Sequence, residues 1–115
     1  MLTVTYDVFD VVVVPFPFTD RATTRRRPAL VLSQARALGE KPGRSVLAMI
    51  TSADNPAWPL DVPLNGQAAA GLPSPSVVRM KLFTLDQGLI LRKVGQLGRG
   101  DQQQVRESLR ALLPV

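Results

Sequence analysis

Apolar residues come in short, β-branched bursts over most of this chain and change to helical spacing near its end. Residues 9–14 (FDVVVV) predict a buried strand, stopped by Pro15 and Pro17. Residues 19–26 are polar and basic without an apolar period, which predicts a loop, with Phe16 and Phe18 as its anchors. A second strand is expected over 28–33, with Pro28 at its first position, where a missing N–H is tolerated. Residues 34–43 read as a connection with room for a helical turn at 34–38, and 45–52 (SVLAMITS) as a third strand.

The Asn55-Pro56 pair signals a turn. Alternation of Leu60, Val62 and Leu64 predicts a half-buried edge strand over 59–64, with Pro63 turned away from its partner. Residues 66–75 are rich in Ala, Gly and Pro and read as a loop. Over 76–83 the chain alternates, with Val78, Met80 and Leu82 on one face and Val77, Arg79, Lys81 and Phe83 on the other. Residues 89–97 predict one further strand, or two broken at Gly95. From Asp101 the apolar positions Val105, Leu109, Leu112 and Leu113 follow helical spacing. Asp101 is placed as the N-cap, Gln104 as its capping-box partner, and Pro114 as the stop. Five to seven short strands and one C-terminal helix predict a mainly β fold: a small, strongly bent barrel or sheet with the helix packed on it.

Composition narrows the chemistry. At 115 residues and 45% hydrophobic content, one domain over 1–115 with one real core is expected. There is no cysteine and no histidine. Disulfides, thiolate or imidazole metal sites, histidine acid–base catalysis and cysteine nucleophiles are therefore excluded. The carboxylates show no clustered ligand spacing, so neither a metal nor another cofactor is expected. The run Val11–Val14 is far short of the roughly 20 residues that span a bilayer. The first ten residues lack a basic segment and carry two aspartates, so no secretory signal is expected. A soluble cytoplasmic protein without a membrane partner follows as the expectation.

Charge is concentrated. Residues 20–44 hold seven basic side chains against two acidic ones, which accounts for the whole net charge of +5. This is an electrostatic footprint for an anionic partner, with phosphate the leading case. No G-x-x-x-x-G-K-[ST], G-x-S-x-G or S-x-x-K pattern is present, and Gly98-Arg99-Gly100 reads as a turn before the helix. The informative positions are strand ends. Arg27 stands before Pro28, and Thr51 and Ser52 end the third strand. If those strands are neighbours, a planar guanidinium and two hydroxyls share one pocket suited to a phosphoryl group. Trp58 is placed either as a base-stacking residue or as packing over a turn, and Arg79 and Lys81 read as a strand's solvent face.

The ordered segments FDVVVVPFPFTD, RRPALVLS, MITSADN, WPLDVPL, AGLPSPSVVR and KLFTLD run from residue 9 to residue 86. Taken together they resemble the MazF/PemK-like toxins of type II toxin–antitoxin modules, over nearly the whole chain. The resemblance implies an SH3-like β-barrel with a C-terminal helix, of the CcdB/MazF type, usually a homodimer. It implies a metal-independent endoribonuclease for single-stranded RNA, silenced by a separate acidic antitoxin. The family's catalytic arginine falls on Arg27 and its threonine on Thr51. Thr19, Asp20, Arg25, Arg26, Ser52, Trp58, Arg79 and Lys81 are the accompanying substrate-binding candidates. Residues 15–26 would form a lid and RNA contact. Phe9-Asp10 stands where the family often has Gly-Asp.

In the implied reaction the RNA 2′-hydroxyl attacks the adjacent phosphorus, leaving a 2′,3′-cyclic phosphate and a 5′-hydroxyl. Arginine is a poor proton acceptor, and the sequence leaves open whether Arg27 serves as acid and Asp20 as base. Two rivals share the fold: a non-catalytic toxin that jams a protein such as a topoisomerase through its C-terminal helix, and a nucleic-acid-binding barrel without catalysis.

Overall fold

The computed structural model describes residues 5–16 and 25–114. Its strands are β1 (Asp10–Phe16), β2 (Arg25–Val31), β3 (Arg44–Ser52), β4 (Val62–Pro63), β5 (Ser76–Asp86) and β6 (Arg92–Gln96), followed by helix α1 (Arg99–Leu112). All pair antiparallel in one six-stranded sheet of order β4-β5-β3-β2-β1-β6. The sheet curls into a half-barrel, helped by register shifts at Val11/Val12 on β1 and Ala48/Met49 on β3. The mainly β fold with one C-terminal helix is as the sequence predicts. No helix among the described residues is long and apolar enough to cross a membrane.

The valine run is continuous because β1 is covered on both faces. Val11 packs with Leu30, Ile50 and Val78, and with Val105 from α1. Val12 and Val14 point to the other face, with Ala29, Val31 and Leu47. A strand buried on both sides needs no polar alternation. On β5, Val78, Met80 and Leu82 join the first cluster, as their alternation predicts. Phe83 and Leu85 join the second, and β5 runs on to Asp86, past the expected end at residue 83.

Several elements differ from expectation. β1 passes through Pro15 to Phe16, because pairing with β6 ends at Val13 and leaves that edge free of ladder bonds. Phe16 is therefore a strand residue, and Phe18 lies outside the described residues. Pro28 is the fourth residue of β2, not the first. The helical turn expected at 34–38 forms one residue later, over Ala35–Gly39. The edge strand over 59–64 shrinks to Val62–Pro63, since residues 58–61 form a turn in which Leu60 takes φ 65° and is exposed. Gly95 does not break β6. It lies within the strand, against the backbone of Ala69 and Ala70.

Asp101 is not the cap of α1. Gly98 is, and Arg99-Gly100 is helical rather than a preceding turn. The buried Asp101 carboxylate instead accepts the backbone N–H groups of Asn65 and Gly66, at 3.1 and 2.9 Å, tying the 66–75 loop to the helix start. Its negative charge suits the positive end of the helix dipole there. Val105 and Leu109 pack inward, while Leu112 and Leu113 stay exposed.

Phe9 adopts φ 70°, a conformation easy for glycine and strained for a bulky residue. Its ring is buried in the first cluster, and the Arg106 guanidinium covers it at 4.8 Å from the centroid. Packing thus supports a phenylalanine at this strained position.

Candidate active site

The site begins with a missing hydrogen-bond donor. Pro28 has no N–H, and the ladder between β2 and β3 spans only Ala29–Val31 against Leu47–Met49. Beyond it the strands part company. β2 follows β1, with Arg27 opposite Val14, while β3 follows β5 to Ser52. A cleft of about 380 Å³ opens between them, lined by Arg25, Arg26, Arg27, Thr51, Ser52 and Asn55 among others. Arg27 and Thr51 also line a second cleft of about 370 Å³, with Phe16, Met49, Arg79, Lys81, Leu82 and Phe83. The guanidinium and threonine hydroxyl therefore form a ridge between two clefts. The neighbouring strands expected from the sequence, with Arg27, Thr51 and Ser52 in one pocket, are present.

Arg27 is half-buried and makes no ion pair among the described residues. Its guanidinium lies 5.6 Å from the Phe16 ring centroid, and its Nε is buried without a hydrogen-bond partner among the described residues. An unsatisfied buried donor on a charged group costs about 1–3 kcal/mol or more, which an arriving anion relieves. Arg25 and Arg26 are exposed beside it. Local sequence thus gathers positive charge at the cleft: three arginines followed by the proline that ends the ladder.

Thr51 Oγ1 accepts a hydrogen bond from the Asn55 side-chain amide. One lone pair is thereby occupied, and the hydroxyl keeps its proton to donate. Ser52 Oγ accepts the N–H of Asp54 at 3.2 Å and so braces the turn. Asn55 is the residue that sequence reasoning missed. The Asn-Pro signal marks its turn, but not that its side chain folds back onto Thr51.

Arg79 is committed to structure. Its Nε and Nη2 bind the Asp61 carboxylate at 3.2 and 3.0 Å, and Nη2 also reaches the Pro56 carbonyl at 2.8 Å. This clamps the turn carrying Trp58, whose ring lies 5.8 Å from the Arg79 guanidinium and 4.4 Å from Lys81 Nζ. Trp58 is 44% exposed, so it is not core packing. Thr19 and Asp20 lie outside the described residues, as does most of the expected lid.

Burial alone would raise the Asp61 carboxyl, but the Arg79 hydrogen bonds, the Trp58 N–H and the Arg79 charge outweigh it and lower its pKa. A depressed carboxyl stabilises the fold above its unfolded value of about 3.9 and loses that contribution as pH falls through the folded value. Asp61→Asn is expected to cost about 2 kcal/mol at pH 7, because it leaves Arg79 without its charge partner. The difference from wild type should shrink below about pH 4. Urea melts at both pH values check this, and a difference that stays constant with pH would rule it out.

A match to the family described as PemK-like, MazF-like toxin of type II toxin–antitoxin system spans residues 7–113. The chain belongs to this toxin family. A MazE–MazF crystal structure (Form III) from Deinococcus radiodurans is 26% identical to this toxin, with a TM-score of 0.77, covering 97% of this chain and 99% of that one. The Mycobacterium tuberculosis toxin MazF-mt6 is 20% identical, with a TM-score of 0.72 over 92% and 97% of the two chains. An endoribonuclease in complex with its cognate antitoxin, from a mycobacterial species, is 13% identical, with a TM-score of 0.73 over 98% and 97%. These last two bear on the fold alone. No curated protein sequence matches this toxin.

Proposed function

We propose that this toxin is an endoribonuclease that cuts single-stranded RNA, in the first instance mRNA, with Arg27 and Thr51 acting on the scissile phosphate. The observation that carries the reading is the buried Nε of Arg27, unpartnered among the described residues, in a cleft shared with the Thr51 hydroxyl. The 2′-oxygen attacks phosphorus, loses its proton and forms the cyclic P–O bond. The bond to the 5′-oxygen breaks, and that oxygen takes up a proton. Charge builds on the non-bridging oxygens between these events. Arg27 pairs with one and Thr51 donates to another, in a site where fixed donors outperform water. The nucleophile comes from the RNA, so no activated water is required.

Among the described residues no carboxylate lines either cleft, so these side chains serve as charge stabilisers rather than as the base. Arg25 and Arg26 extend the phosphate track. Under this reading the toxin acts as a homodimer in the cytoplasm, where mRNA is found. An acidic antitoxin covers the basic segment; in support of a partner, the Deinococcus radiodurans structure holds MazE with MazF, and the mycobacterial endoribonuclease is in complex with its cognate antitoxin.

The test is cleavage of a long unstructured RNA in excess chelator, with end-group analysis. Fragments carrying 2′,3′-cyclic phosphate and 5′-hydroxyl ends are expected. RNA that stays intact at high enzyme concentration would overturn the reading, and 3′-hydroxyl ends would overturn the mechanism.

A further inference from the structure

Phosphate chemistry does not account for the second cleft. Phe16, Met49, Leu82 and Phe83 give it apolar and aromatic walls, which suit the faces of a nucleobase. Because Arg27 and Thr51 line both clefts, a strand with its scissile phosphate on the ridge sends an adjoining nucleotide into this one. Base identity must then be read by the polar side chains at its edge.

Those side chains are donors. Arg79 Nε and Nη2 are engaged by Asp61 and Pro56. The Thr51 oxygen already accepts from Asn55. Lys81 is exposed and in no ion pair among the described residues, and its ammonium is held 4.4 Å from the Trp58 ring centroid. Apart from the remaining lone pair of Thr51 and the weakly accepting Met49 thioether, the lining side chains present no acceptor. With Arg27 given to the phosphate, Lys81 is the charged donor left there without a hydrogen-bond or ion-pair partner among the described residues.

We propose that this cleft selects a keto base, uracil or guanine, next to the cleaved phosphodiester, with Lys81 as the selecting donor. The inference rests on the nuclease reading above. Uracil O4 and guanine O6 accept from Lys81, whereas the amino groups of cytosine and adenine set donor against donor. Trp58 is a positioning residue that keeps the ammonium at the cleft's edge.

Two substrate pairs exchange the keto group for an amino group, together with the donor character of the adjoining ring nitrogen: uracil against cytosine, and hypoxanthine (inosine) against adenine, at each position flanking the cleaved bond. Wild type is expected to cut the keto member roughly tenfold faster at one of these positions. Lys81→Met should bring the ratio toward one, and Lys81→Arg should retain it. Equal rates at both positions, a preference for the amino member, or a ratio unchanged in Lys81→Met would overturn the inference while leaving the nuclease reading intact.

Absence of any cleavage would sink the nuclease reading instead. Binding then decides the inference, because Trp58 is the chain's single tryptophan and reports from beside Lys81. Its fluorescence should respond at roughly tenfold lower concentrations of 2′-O-methyl oligouridine than of oligocytidine, with the gap narrowed in Lys81→Met. Equal titrations would refute it.

Discussion

Arg27→Ala is expected to lower RNA cleavage by roughly 10²–10³-fold, the cost of removing a fixed donor from developing negative charge. The melting midpoint should hold or rise. Arg27 makes no ion pair among the described residues, and its buried Nε is unpartnered, so truncation removes a liability of the free protein. That pairing of outcomes separates a binding group from a structural one. Arg27→Lys should recover little, because an ammonium lacks the planar fork that meets two phosphoryl oxygens at once. Initial rates on one RNA, with thermal melts of each variant, make the measurement. Wild-type rates in Arg27→Ala would remove the residue from the mechanism. A collapse in stability would mean that its guanidinium holds the strands together.

The largest expected loss of stability lies away from the clefts, at Gly71. It takes φ 75°, and a Cβ there would meet the Val94 carbonyl oxygen at 2.1 Å and its carbon at 2.7 Å. Those are backbone atoms of β6, which cannot swing aside. Gly71→Ala should therefore cost about 3 kcal/mol or more, combining left-handed strain with overpacking. For a chain of this size that is a fall of roughly 10–20 °C in midpoint. Gly100→Ala is the control. Its Cβ meets nothing within 4 Å and it lies in α1, so a gain of about 0.5–1 kcal/mol is expected. Calorimetry on both variants checks the pair. An unchanged midpoint for Gly71→Ala would mean that the 66–75 loop does not lie on β6.

The strands of this fold were readable where apolar periodicity set them. The valine run, the 45–52 segment and the alternation from residue 76 all lie within observed strands. What misled was local punctuation. Pro15, Pro28 and Gly95 read as boundaries, yet each sits inside a strand, because the edge beside it is unpaired or another backbone lies close. Asp101 reads as a cap on sequence alone, whereas its carboxylate serves a loop 35 residues back in the chain. The site was legible as far as Arg27 before a proline and hydroxyls at a strand end. The Asn55 contact, the clamp on the Trp58 turn and the division into two clefts depend on how β2 and β3 diverge, which no local pattern carries.

The sheet joins the two ends of the chain. β1 at residues 10–13 pairs with β6 at residues 92–96, and Phe9 lies beneath Arg106. Contacts of such long sequence separation make folding slow relative to helical proteins of the same size. They also order events at the ribosome. Synthesis of 115 residues takes on the order of ten seconds. For most of that time β1 lacks one neighbour, and β4 and β5 lack the helix that packs against them. The sheet of the nascent chain is thus completed only after β6 has left the machinery that made it.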